Sequence, residues 1–145
     1  MSLLILNEDE LRQSVTVAEA IEAVKTAFVA SVEGRMHVPG AFTLQLPEIK
    51  GEVHVKGAYL NKAPYYVIKV NSDFQDNPAH NLPVRTGFTA VFDAATGLPV
   101  AILVDNGYIS SLRAGAAGAL AADYLANPYL DQVAVLGSEN QAYMH

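Results

Sequence analysis

The sequence predicts an α+β fold, in which a largely antiparallel or mixed sheet carries flanking helices and one further strand opens a second domain. Three observations support this prediction. Two segments, 17–33 and 109–126, have helical periodicity or helix-favouring composition. Between them, 42–104 contains short stretches rich in Val, Ile, Tyr, Phe and Thr that Pro, Gly and Asn separate. The last segment, 132–142, is an apolar run that leads into a small-residue turn, as at the start of a nucleotide-binding βαβ unit.

Composition and charge exclude several classes of function. With 145 residues the chain is long enough for one domain with its own core. The formal net charge of −6 argues against nucleic acid as a partner, because a phosphate backbone requires a basic face. The absence of Cys excludes disulfides and cysteine nucleophiles, and the scattered His residues predict no metal site. No apolar run resembles a membrane span or a signal peptide, so we expect a cytoplasmic protein with no membrane partner.

The amino-terminal elements are a short strand and two helices, each of which begins at a capping box. In a capping box a Ser, Thr or Asn is followed three residues later by Glu, and each side chain bonds the other's backbone. The two boxes begin at Asn7 and Thr16 and predict helices over 8–13 and 17–33. The apolar residues 3–6 before the first box predict the strand.

The middle of the chain predicts an antiparallel meander. Its candidate strands are 42–46, 52–60, 65–72, 84–93 and 99–105. A hairpin loop over 93–97 joins the last two, because Gly97 is free to adopt a positive φ. The helix over 109–126 follows, with Ser110 or Ser111 as the predicted N-cap.

Lys69 is the first candidate for chemistry. Strand alternation places it on one face with Val67 and Asn71, in the middle of an apolar strand. Lys is rare in such a position, because a buried ammonium loses its hydration. Desolvation would lower its pKa and suit it to acid–base work, whereas a carboxylate partner would raise the pKa. The alternative is an edge-strand Lys that faces water.

Arg113 is the second candidate. It lies in the first turn of the predicted helix 109–126, which carries no other charge before Asp123. An Arg there adds to the positive end of the helix dipole, which indicates an anionic partner. Its planar guanidinium suits a carboxylate or a phosphate. The alternative is an exposed Arg at a helix start.

His54 and Lys56 are weaker candidates. They alternate along one strand, with Val53 and Val55 on its opposite face. A solvated face explains this pattern, and so does a site for an anionic ligand.

The turn over 137–142 is the third candidate. A dinucleotide loop has the pattern Gly-x-Gly-x-x-Gly/Ala, in which the second Gly lets the backbone approach the pyrophosphate. Gly137 and Ala142 fit the first and last places, but Glu139 occupies the middle one. A carboxylate there opposes a pyrophosphate both sterically and electrostatically.

A resemblance to a known family rests on the order and spacing of seven motifs. They are Val53-His-Val-Lys-Gly-Ala-Tyr59, Val67-Ile-Lys-Val70, Asn77-Pro78, Asn81-Leu-Pro83, Asp93-Ala-Ala-Thr-Gly-Leu-Pro99, Ser110-Ser-Leu-Arg-Ala-Gly-Ala-Ala117 and Val135-Leu-Gly-Ser-Glu-Asn-Gln-Ala142. Together they resemble the ornithine cyclodeaminase/mu-crystallin family from about Leu3 to the last residue.

The resemblance implies a substrate-binding and dimerisation domain at 1–127, with 128–145 as the first strand and phosphate loop of an incomplete NAD(P)-binding Rossmann domain. Family members pair two such amino-terminal domains into a barrel-like homodimer core. The implied function is that of a truncated homologue of an NAD- or NADP-dependent ornithine cyclodeaminase or imine (ketimine) reductase, acting on a small amino or imino acid.

The resemblance also implies roles for single residues. Lys69 matches the active-site lysine and Arg113 the arginine that holds the substrate carboxylate, and Lys56 and His54 are further substrate-binding candidates. The cofactor residues match at Gly137, Ser138, Asn140, Gln141 and Ala142.

Two departures from the family pattern argue against tight cofactor binding by this chain. The family usually has Thr after the arginine, where this chain has Ala114, and Glu139 replaces the second loop glycine. We therefore expect the fragment alone to be inactive. The alternative function is a non-catalytic dimerisation or small-ligand-binding module like mu-crystallin.

Overall fold

The computed structural model describes residues 2–127, 129, 131–137 and 140–144, and for Asn140 and Gln141 it describes the backbone alone. The strands are β1 (Leu4–Asn7), β2 (Met36–His37), β3 (Phe42–Leu46), β4 (Gly51–Leu60), β5 (Tyr65–Phe74), β6 (Arg85–Asp93) and β7 (Pro99–Val104). The helices are α1 (Glu8–Ser14), α2 (Val17–Val32), α3 (Tyr108–Leu125) and α4 (Asn140–Met144), with single 3-10 turns at Pro47–Ile49 and Asn77–His80. No helix within these described ranges has both the length and the apolar character needed to cross a membrane.

The strands form one mixed sheet, as the sequence predicts. Its order is β1-β7-β6-β5-β4, and both β2 and β3 pair with the outer edge of β4. Only the pairing of β1 with β7 is parallel among these strands. The hairpin loop between β6 and β7 is confirmed: Gly97 has φ +72°, and the Asp93 carboxylate accepts hydrogen bonds from the Ala95 and Thr96 amides.

The two predicted capping boxes are both present. The Asn7 side chain accepts from the Glu10 amide at 3.0 Å, and the Glu10 carboxylate accepts from the Asn7 amide at 2.8 Å. Thr16 and Glu19 make the same reciprocal pair at the start of α2. Each box provides acceptors for amides that a helix start leaves unpaired, which fixes where α1 and α2 begin.

The core lies between one face of the sheet and the three longer helices. Leu11, Tyr108, Leu112 and Ala116 are buried together with Ala20, and Leu6 and Leu103 of the sheet pack against them. Leu6 pairs with Leu103, which pairs with Thr89 of β6, then Lys69 of β5 and Lys56 of β4. Cross-strand partners share a face, so Lys69 and Lys56 lie on the face that carries the helices. Helices cover the β1–β7 end of this face and leave room at the β4–β6 end.

The opposite face is apolar and open. One of its cross-strand rows runs Phe42–Val55–Val70–Phe88 and another contains Ile5, Ile102, Ala90 and Ile68. Phe42 is 60% exposed and Ile5 61%. A monomer that leaves such a surface in water forgoes the free energy of burying it.

The predicted N-cap of the third helix is wrong. Gly107, with φ +86°, is the N-cap of α3 and neither Ser110 nor Ser111 caps it. The Asp105 carboxylate instead accepts from the Ile109 amide at 2.8 Å. Asp105, which lies before the helix, thus provides the acceptor that an unpaired amide in the first turn requires. The Ser110 hydroxyl is therefore available to another partner.

Residues 131–137, where the sequence predicts the first strand of a second domain, adopt no strand in the described structure. A strand requires a neighbour to complete its ladder, and no described segment pairs with this one. The chain then forms α4, which packs on α3 so closely that a Cβ at Gly115 would collide with the Met144 backbone.

Candidate functional site

A cavity of about 620 Å³ lies on the helix-bearing face, at the end of the sheet that the helices leave uncovered. The central strands β4, β5 and β6 form its floor. The start of α3 and the turn before it form its wall. The charged side chains that line the cavity are His54, Lys56, Asp73, Arg85, Asp105 and Arg113. Three of the four site residues that the sequence predicts outside the loop 137–142 line this cavity, and the fourth, Lys69, reaches it through a hydrogen bond to Ser110.

Lys69 lies in the middle of β5, half-buried at the edge of this cavity. Its ammonium donates a hydrogen bond to the Ser110 hydroxyl, which itself lines the cavity. Burial lowers the pKa of Lys69 below its ordinary value, the Asp105 carboxylate opposes that shift, and the Arg113, Lys56 and Arg85 cations reinforce it. Lys69 is therefore a lysine whose charged form is disfavoured, which makes it a readier proton donor than an ordinary lysine.

Arg113 is exposed and projects from the wall of the cavity. Because α3 begins at Tyr108, Arg113 lies in its second turn and not in the first, as the sequence predicted. The helix dipole therefore contributes little to its preference for an anion, since that effect is confined to the first turn. Arg113 stands three residues after Ser110 on the same helix face, and its charge is near enough to lower the pKa of Lys69. It has no salt bridge to any residue that the structure describes.

His54 and Lys56 lie on the cavity face of β4, as their alternation predicts, but only Lys56 is unengaged. Lys56 is the cross-strand partner of Lys69 and forms no salt bridge with the described side chains. The His54 ring is held by neighbours: Nδ1 is 3.2 Å from the Thr43 hydroxyl and Nε2 is 3.5 Å from the Glu52 carboxylate. Because these neighbours hold the His54 ring at the floor of the cavity, we assign it no part in the chemistry.

The structure adds three residues that the sequence analysis missed. Asp105 is 2% exposed, anchors the start of α3 and faces Lys69. Arg85 and Asp73 are cross-strand partners joined at 2.6 Å, with Asp73 mostly buried. A signal for Asp105 was available, because an Asp between a strand and an Asn-Gly turn commonly ends the one element and anchors the next. The Arg85–Asp73 pair depends on the strand register, which the sequence alone does not fix.

The predicted cofactor loop is only partly described. Gly137 has φ +137°, and a Cβ built on it would be 3.4 Å from the Ala142 Cβ, while Ser138 lies outside the described residues, as do the side chains of Asn140 and Gln141. The preceding residues form no strand, and α4 has five residues. The cofactor-binding role of this loop therefore stays a prediction.

Comparison with known proteins gives one consistent family. The model of the ornithine cyclodeaminase/mu-crystallin family matches residues 2–145. An uncharacterized cyclodeaminase of Sinorhizobium fredii (strain NBRC 101917 / NGR234) is 36% identical over 140 residues, which are 95% of this chain and 42% of that protein. An archaeal alanine dehydrogenase dimer with bound NAD has a TM-score of 0.90 and 31% identity, covering 99% of this chain and 43% of that chain.

A third relative is an imine reductase. The Δ1-pyrroline-2-carboxylate reductase of Thermococcus litoralis, in complex with NADH and L-proline, has a TM-score of 0.78 and 27% identity, over 86% of this chain and 38% of that one. The chain thus spans less than half the length of these relatives. The resemblance that the sequence predicts is confirmed, and the chain belongs to the ornithine cyclodeaminase/mu-crystallin family.

Proposed function

We propose that residues 1–127 form the substrate-binding and dimerisation domain of an NAD(P)-dependent enzyme that acts on a small 2-amino or 2-imino acid. One observation carries the proposal. Arg113, which forms no salt bridge with a described side chain, lines the cavity, and Lys69, whose pKa is lowered, reaches the same cavity through its hydrogen bond to Ser110.

In the proposed reaction the chain binds the acid and moves a proton. The planar guanidinium of Arg113 holds the substrate carboxylate through paired hydrogen bonds. This contact orients the substrate nitrogen towards the ammonium of Lys69, which delivers a proton to that nitrogen or accepts one from it. Ser110 holds the Lys69 ammonium in place, and the buried carboxylate of Asp105 favours the protonated form of the lysine.

Cofactor chemistry is assigned to the family and not to this chain. Two of the relatives were solved with NAD or NADH, which supports a nicotinamide cofactor in a longer protein of this type. In such a protein the nicotinamide would exchange a hydride with the carbon that bears the nitrogen. Since Glu139 stands where a dinucleotide loop has its second glycine, we assign substrate binding and proton transfer alone to this chain.

We also propose that a second copy of the chain covers the open apolar face. The alanine dehydrogenase relative is a dimer, and the row Phe42–Val55–Val70–Phe88 is what a second, equivalent sheet would bury. A two-fold interface of this kind uses the same surface on both copies. A cytoplasmic location remains part of the same proposal.

Calorimetric titration of the chain with L-alanine and L-proline tests the substrate assignment. We expect saturable binding that Arg113→Ala weakens by at least about tenfold, because a hydrogen bond to a charged group contributes about 1.5–3 kcal/mol. Arg35→Ala is the matched control, since Arg35 is paired with Glu33 outside the cavity. Binding that is equally strong in Arg113→Ala would contradict the proposed role of the site.

The alternative of a non-catalytic module is favoured by Glu139 and Ala114. Fluorescence titration with NADH and NADPH separates the two functions for this chain. Binding tighter than millimolar would show that these substitutions do not prevent cofactor binding. Weaker binding, together with amino-acid binding at Arg113, would fit a chain that handles the substrate alone.

A further inference from the structure

We infer that Lys56 makes this site selective for a 2-amino or 2-imino acid with a second carboxylate, and that it rejects a diamino acid. The inference rests on the proposed function, because it names the substrate class of the same cavity. It rests on two cations at the cavity, Lys56 and Arg113, that form no salt bridge with the side chains that the structure describes.

Most charges at the cavity balance one another. The Arg85 guanidinium is joined to the Asp73 carboxylate at 2.6 Å, and the His54 ring lies 3.5 Å from the Glu52 carboxylate. Asp105 is the buried carboxylate that faces Lys69. Two cations remain, Lys56 and Arg113, and neither has a carboxylate partner among the side chains that the structure describes. A guest with two carboxylates would complete the charge balance.

The position of Lys56 makes it a second anchor and not a duplicate of the first. Arg113 projects from the helical wall, whereas Lys56 rises from the floor on β4, directly across the strand pair from Lys69. Cross-strand partners have Cβ atoms about 5 Å apart, and the charge of Lys56 is near enough to lower the pKa of Lys69. A guest nitrogen directed at Lys69 and a carboxylate on Arg113 would therefore leave its side chain near Lys56.

The same geometry disfavours a cationic side chain. The terminal ammonium of ornithine would come near Lys56 and Lys69 with no free carboxylate to receive it, because the cavity carboxylates are already engaged. Like charges at that separation repel, and a half-exposed site screens the repulsion only in part. Lys56 therefore raises the affinity of the site for a short dicarboxylic acid and lowers its affinity for a diamino acid, so attraction and repulsion both contribute to specificity.

Calorimetric titration of the chain with L-aspartate, L-alanine and L-ornithine tests the inference. We expect the order aspartate, alanine, ornithine from tightest to weakest. Lys56→Gln should weaken L-aspartate binding by about fivefold, as expected for a solvent-accessible ion pair, and leave L-alanine within about twofold. Lys56→Glu should invert the order and favour L-ornithine. Lys25→Gln removes the same charge from exposed α2 and is the matched control.

The possible failures are distinguishable. If L-alanine binds through Arg113 but L-aspartate binds no better in the wild type than in Lys56→Gln, the inference is overturned and the proposed function stands. If none of the three amino acids binds, the proposed function fails and the inference fails with it.

Discussion

The ammonium of Lys69 donates a hydrogen bond to the hydroxyl of Ser110, which joins the middle of β5 to the first turn of α3. This single contact links the sheet that forms the floor of the cavity to the helix that forms its wall. It is possible because Asp105 and Gly107 anchor the helix start, so that Ser110 is not consumed as a cap.

Replacing Ser110 by Ala should change the pKa of Lys69 and lower the stability of the fold only modestly. The charged lysine loses an acceptor, so we expect its pKa to fall further and the free energy of unfolding to fall by about 1 kcal/mol. Titration of the lysine side chain by heteronuclear NMR measures the pKa, and urea denaturation measures the stability. Ser14→Ala, which removes an exposed hydroxyl bond to the Glu10 carbonyl, is the control. An unchanged Lys69 titration would show that the bond does not form in solution.

Replacing Lys69 by Met tests the direction of its pKa shift through stability. The folded-state pKa of Lys69 is lower than the ordinary value of 10.5, so between the two values the unfolded chain binds more protons and stability rises with pH. Wild type should therefore gain stability relative to Lys69→Met as the pH rises towards 10.5. Urea denaturation of both proteins across this range gives the difference. A difference that is flat or falls with pH would mean that the lysine is not desolvated.

The Asp105 carboxylate is expected to act in two ways that two variants separate. Asp105→Asn keeps an oxygen for the Ile109 amide but removes the charge, so we expect a small loss of stability and a lower Lys69 pKa. Asp105→Ala removes the acceptor as well and should destabilise the chain by about 2 kcal/mol, the upper range for a lost helix cap. Equal stabilities for the two variants would argue against the anchoring role.

Much of the fold was predictable because its signals are local. The boxes at Asn7 and Thr16 and the turn at Gly97 depend on residues within one turn of each other, so pattern and structure agree there. The helix start at Tyr108 was not predictable in the same way. Ser110 has the composition of a cap, but a buried carboxylate outside the helix competes for that role, and only tertiary structure shows which acceptor prevails.

The alternation of the candidate residues along each strand was predictable, and the relationship between the strands was not. The pattern places His54 with Lys56 on one face of β4 and Lys69 with Asn71 on one face of β5. That Lys56 and Lys69 share a face and are direct partners depends on pairing between strands, which the sequence does not fix. The strand predicted within 128–145 needs a neighbouring strand to complete its hydrogen bonds, and no described segment pairs with residues 131–137.

The second capping box gives a prediction about acid. The Thr16 amide and hydroxyl bonds hold the pKa of Glu19 below 4.5, so the stabilisation is present above the unfolded-state pKa and is lost as the pH falls through the folded-state pKa. Thr16→Ala should destabilise the chain by about 1 kcal/mol at pH 7, and the difference from wild type should shrink in acid. Thermal unfolding of both proteins at pH 7 and in acid, below the folded-state pKa of Glu19, measures this difference in stability. Thr26→Ala, in the interior of α2, should show no such pH dependence.

The open apolar face gives a prediction about assembly. Phe88 lies 39% exposed in the row with Phe42, and a charge in the centre of a sheet-to-sheet interface would remain unpaired and desolvated in the dimer. We expect wild type to sediment as a dimer and Phe88→Asp to sediment as a folded monomer. Tyr65→Asp changes an exposed aromatic side chain on the opposite face and should leave the dimer intact. A wild-type chain that stays monomeric at high concentration, with the same circular dichroism as Phe88→Asp, would contradict the proposed dimer face, because nothing would then bury this row.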